Sequence, residues 1–68
     1  MRIKIKNKEF IVTDMIVIDH KRDSHMKYNI FDEKYNHVTS IDAEDEIEFM
    51  KLFNSYLVKN NYFENEMV

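Results

Sequence analysis

The chain contains no glycine, no proline and no cysteine. Each absence removes a common way of shaping a fold. Without Gly, any turn that needs a positive φ must place a Cβ-bearing residue there, and Asn and Asp tolerate this best. Without Pro there is no ring-locked turn and no hard helix stop. Without Cys there is no disulfide and no thiolate zinc site. The same gaps limit chemistry: no glycine-rich loop can cradle a phosphate and no thiol can act as nucleophile.

With 68 residues, the chain predicts one domain spanning 1–68. A domain of this size buries only about 60% of its unfolded surface, so a solitary core is marginal. Disulfides, a metal or a partner subunit usually compensate. With the first excluded, a partner chain is the leading expectation, and a homodimer its simplest form. Phe, Tyr, Met, Ile, Asn and Lys make up more than half of the residues, whereas Ala43, Arg2 and Arg22 are the whole complement of Ala and Arg. The first group has AT-rich codons and the second GC-rich ones, which fits a low-GC bacterium, its phage or a mobile element.

Alternation organises the first two thirds. Ile3 and Ile5 face opposite to Arg2, Lys4 and Lys6, the two-residue period of a half-buried strand over about 2–6. An Asn7-Lys8 turn would set Ile5 opposite Phe10 and Ile3 opposite Val12. Residues 9–19 are apolar in both parities, as in a central strand. Phe10, Val12, Ile16 and Ile18 share one face; Ile11, Met15 and Val17 share the other. Asp14 interrupts the first face and suggests a bulge. A third strand over 25–31 carries Met26, Tyr28 and Ile30. An odd-length loop puts these on the face of Ile16 and Ile18 without a change of phase. A three-residue loop, 33–35, pairs Ile30 with Val38 and Tyr28 with Ser40, gives a strand over 37–41, and forces Tyr35 or Asn36 into the left-handed region.

Asp42 reads as an N-cap, with Asp45 at the reciprocal capping position, opening a helix over about 43–59. Asn60-Asn61 supplies its stop and 60–68 forms a tail. The fold class is therefore α+β: a three- or four-stranded antiparallel meander followed by one long amphipathic C-terminal helix packed on one sheet face. On that helix Ile47, Met50, Phe53 and Leu57 form one apolar stripe; Phe49, Leu52 and Tyr56 form a second. Glu44, Glu48, Lys51, Ser55 and Lys59 complete the polar side. The apolar arc exceeds what one sheet needs. The surplus, Phe49, Leu52 and Tyr56 with Ile11, Met15 and Val17 on the second sheet face, forms the predicted protein interface.

The motifs for chemistry are sparse. His20 and His25 flank a loop with Asp19 and Asp23, but Lys21 and Arg22 oppose a cation there, and no metal or other cofactor is expected. Ser24, His25 and Asp23 are sequence neighbours on a strand, whose side chains point apart, so they make no nucleophile system. No enzyme activity is expected. The net charge of −3 is unevenly spread. Arg2, Lys4, Lys6 and Lys8 stand without an acid, and read as a basic row that would suit nucleic acid. Asp42, Glu44, Asp45, Glu46 and Glu48 stand without a base; Asp42, Glu44, Asp45 and Glu48 would carry a mimic of nucleic-acid phosphates aimed at a host nucleic-acid-binding or defence protein. Local roles, edge-strand protection and helix-dipole complementation, account for both clusters more simply. The alternating start has no apolar leader region, no segment suits a membrane span, and a cytoplasmic location is expected. The function expected above these alternatives is that of a small, non-enzymatic protein-interaction module. Its most concrete form is a phage or mobile-element accessory protein that binds and modulates a host protein as a homodimer.

Overall fold

The computed structural model describes residues 1–18 and 24–62. Four strands, β1 (Arg2–Ile5), β2 (Lys8–Val17), β3 (His25–Phe31) and β4 (His37–Ala43), form one antiparallel sheet in the order of the sequence. One helix, α1 (Glu46–Lys59), follows. The sheet is a meander because each connection is short enough for successive strands to pair as neighbours.

The first hairpin turns at Lys6-Asn7, not Asn7-Lys8. Ile5 opposes Lys8 and Ile3 opposes Phe10. The positive φ falls on Lys6, at 58°. This displaces the expected pairing by an even step, so Ile3 and Ile5 keep their face beside Phe10 and Val12. β2 and β3 pair without interruption from Ile11↔Phe31 to Val17↔His25. The connection is of odd length, and Ile16 opposes Met26 as the alternation requires. No bulge forms at Asp14, which lies opposite Tyr28 on the helix-side face.

The bulge is instead in β4. Phe31 opposes His37, but Ile30 opposes Thr39, leaving Val38 as the extra residue. Pairing then places Ile41 beside Tyr28 and Ala43 beside Met26, where the expected register would have put Ser40 beside Tyr28. The apolar content of Ile41 and Ala43 explains the shift: without it Ser40 would enter the core and Ile41 would face outward. Tyr35 has φ 64° and makes the turn. Asp32 organises it, accepting from the backbone N–H of Lys34 at 2.8 Å and of Asn36 at 2.9 Å.

The helix begins three residues later than the sequence suggests. Asp42 and Ala43 are claimed by β4, and Asp45 is the N-cap. Its carboxylate accepts from Glu48 N–H at 2.8 Å, while the Glu48 carboxylate accepts from Glu44 N–H at 2.9 Å. The far end closes with Asn61 left-handed at φ 62°. Tyr62 N–H donates to Leu57 C=O at 3.0 Å and Asn61 N–H to Val58 C=O at 3.1 Å, the paired bonds of a Schellman end. Asparagine here does the work usually left to glycine.

The core lies wholly between the helix and one sheet face: Phe10, Val12, Tyr28, Ile30, Ala43, Phe49, Phe53 and Leu57. Phe49 stacks on Tyr28, centroids 4.2 Å apart, and Phe53 meets Phe10 edge-on at 5.3 Å. Among the described residues, no helix is long and apolar enough to cross a membrane.

Candidate interaction surfaces

The helix turns a different stripe inward from the one its pattern favours. Phe49, Phe53 and Leu57, spaced four apart, are fully buried. Ile47, at 70% exposure, faces outward, and Met50 lies at the flank. The choice follows ring size and position: Phe49 and Phe53 reach the Tyr28 and Phe10 rings, offering more apolar contact than Ile47 and Met50. Phe49 is thus a core residue, with no surface to offer a partner. Leu52 is exposed, and Tyr56 is half-buried beside Tyr62, 6.2 Å between centroids. Burial and the neighbouring Tyr62 push the Tyr56 phenol above its ordinary pKa. Tyr62 folds back on Phe10, 5.8 Å away; Phe63 lies outside the described residues.

Ile11, Met15 and Val17 occupy the sheet face away from the helix, as their parity requires. Ile11 pairs with Phe31, Met15 with Lys27 and Val17 with His25. Polar groups run between them. His37 Nε2 lies 2.9 Å from Ser40 Oγ, and that hydroxyl donates to Asn29 Oδ1 at 2.8 Å. A hydroxyl has one hydrogen, so His37 carries its own on Nε2. His25 Nε2 lies 3.4 Å from Asp42 Oδ1. This open face is mixed in character and not a continuous apolar patch.

An exposed apolar run lies at the outer end of β2. Met15 is 52% exposed, Ile16 67% and Ile18 77%. Ile16 lies on the helix-side face but beyond the helix's reach. The same segment is open along its edge. Val12 exchanges both backbone bonds with Met1, donating at 2.8 Å and accepting at 3.0 Å. By the two-residue period, Asp14 and Ile16 aim their N–H and C=O groups to that same side. Among the described residues no strand flanks β2 there, since the β1 pairing ends at Ile11 and the Met1 bonds at Val12. The signal was present in the sequence as Met15-Ile16-Val17-Ile18, read as evidence of a central strand. β2 is central only along its first half.

The two charged clusters come apart in space. Arg2 and Lys4 face away from the helix, and Arg2 pairs with Glu9. Lys8 lies on the other face, with Nζ 5.2 Å from the Tyr62 ring centroid, and Lys6 is in the turn. The expected single basic row does not form. Of the acidic set, Asp45 and Glu48 are engaged in the helix cap and Asp42 lies beside His25. Among the described residues, no group of three or more His, Asp or Glu converges as a metal site would. His20, Asp19 and Asp23 lie outside the described residues.

Searches against protein-family models, curated proteins and solved structures give no match for this chain.

Proposed function

We propose that this chain is a small non-enzymatic protein-interaction module that works as a homodimer. The observation that supports this is the exposed apolar run at the outer end of β2, where Met15, Ile16 and Ile18 are all more than half exposed. Ile47 on the helix adds to it at 70%. Exposed apolar residues grouped on one element are a feature of association surfaces rather than of ordinary solvated strands. In its fuller form the proposal is an accessory protein of a phage or mobile element that binds a host protein; the AT-rich residue usage supports that part.

The test is the mass in solution by light scattering between about 1 and 100 μM, a range over which mass action separates weak from strong dimers. A rise toward twice the chain mass of 8.4 kDa is expected. A constant monomer mass would overturn the homodimer. Binding to a host protein is tested separately, by capture with the wild-type chain against a variant charged at Ile16 and Ile47. Retention of the same protein by both would remove these residues from its binding surface.

A further inference from the structure

We infer that the open edge at the end of β2, residues 14–17 with the adjoining Ile18, pairs antiparallel with the same edge of a second copy about a two-fold axis, joining two four-stranded sheets into one. This rests on the homodimer proposed above and names its interface.

The edges of the sheet are not treated alike. The outer side of β1 is only four residues long and carries Arg2 and Lys4. The outer side of β4 carries the Val38 bulge, and Thr39, Ser40 and Asp42 make it polar on either side of Ile41. Short length, charge and bulges are the usual protections against edge pairing. The stretch Met15-Ile16-Val17-Ile18 is as short as β1 but has neither charge nor bulge: four apolar residues in succession, β-branched at three. It combines free ladder groups with side chains that gain from cover on both faces.

The backbone selects both the occupant and the register. Asp14, Ile16 and Ile18 share the outward parity, so an antiparallel copy must oppose even-numbered residues to even-numbered residues. Centring the axis on Met15 would bring the second copy's Ile18 opposite Val12, whose groups are already bonded to Met1. Centring it on Ile16 keeps all pairing within the open stretch. Ile16 then meets the second copy's Ile16, Asp14 meets Ile18, and Met15 meets Val17 on the other face. No like charges are opposed, and the segment is complementary to itself. A foreign strand would need to supply this pattern; a second copy already carries it.

The experiment is sedimentation of the full chain with two variants, combined with amide exchange. Ile16→Pro removes an outward N–H while leaving the β3 ladder intact, and Ile16→Lys places a cation at the two-fold axis. Both should sediment as monomers at about 100 μM, where the wild type is a dimer, while retaining the wild-type circular dichroism. Val58→Lys, on the helix, should leave the dimer unchanged. Should both Ile16 variants fail to fold, the wild type still decides. Its Ile16 and Ile18 amides should exchange at least about tenfold more slowly in the dimer than after dilution to monomer. Met15 and Val17, already bonded to β3, should change little. A dimer that survives both Ile16 variants, or that leaves the Ile16 amide unprotected, overturns the edge interface while the homodimer stands. A wild type that is monomeric at that concentration overturns both.

Discussion

Tyr35 shows what a chain without glycine must accept. It sits at φ 64° and is 66% exposed, so little packing offsets its backbone strain. A non-Gly residue in the left-handed region is disfavoured by roughly 1–2 kcal/mol, and Asn by less. Tyr35→Asn should therefore stabilise the fold, by about 0.5–1 kcal/mol in urea denaturation. Its neighbour Asp32 holds the same turn. Bonds from the Asn36 and Lys34 N–H groups lower its carboxyl pKa, against a smaller opposing effect of desolvation. A depressed pKa stabilises the folded chain above the unfolded carboxylate value of about 3.9. The contribution is lost as pH falls through the lower folded value. Asp32→Ala should melt below the wild type at pH 7, and the gap should narrow steadily below about pH 4. An equal gap at pH 7 and at pH 2 would show that the carboxylate charge is not what holds the turn.

The helix illustrates which parts of the fold were legible in the sequence. Its existence, its approximate end and its wide apolar arc follow from periodicity and from Asn60-Asn61. Its orientation does not, because two stripes compete, and the deciding partners, Tyr28 and Phe10, are set by pairings far away in sequence. Its first turn is not legible for the same reason: Asp42 and Ala43 read as cap and helix until β4 is shifted by the Val38 bulge and takes them. Phe49 and Leu52 should now behave oppositely. Phe49→Ala should cost about 3–5 kcal/mol, as for other fully buried aromatic residues. That is enough to abolish cooperative melting in a domain this small. Leu52→Ala, at an exposed position, should cost well under 1 kcal/mol beyond its small change in helix propensity. Similar costs at the two positions would refute the assignment of the buried stripe.

Among the described residues, the helix packs over Phe10, Val12, Tyr28 and Ile30 and leaves Met15 and Ile16, farther along β2, exposed. Burial falls along β2 from Phe10 and Val12, both nearly inaccessible, to Ile16 at 67% exposure. Local stability should follow. Thr13, Met15 and Val17 all direct their N–H groups toward β3, so their ladder geometry is equivalent. In the monomer, exchange should nevertheless quicken from Thr13 to Val17, by at least about tenfold. Uniform protection along the hairpin would mean that it opens only with the rest of the fold. The parity of these strands is legible in the sequence, since Ile16 and Met26 must share a face. It does not show that β2 is paired on its β1 side only as far as Val12, because a central strand and an uncovered apolar edge have the same composition.

The Val38 bulge also determines which changes of chain length this fold can survive. Deleting Val38 would leave His37 opposite Phe31 and Thr39 opposite Ile30, and every later pair in β4 would keep its partner. What is lost is one partly buried side chain against the core, worth about 1–3 kcal/mol. Deleting Ser40 would move Ile41 and Ala43 to the solvent face and turn Asp42 toward Phe49. The first deletion should still give a folded chain by circular dichroism and the second should not. Among related sequences, gaps would then gather at the bulge and avoid the rest of β4, and a strand of ordinary appearance would carry a single site where length can drift.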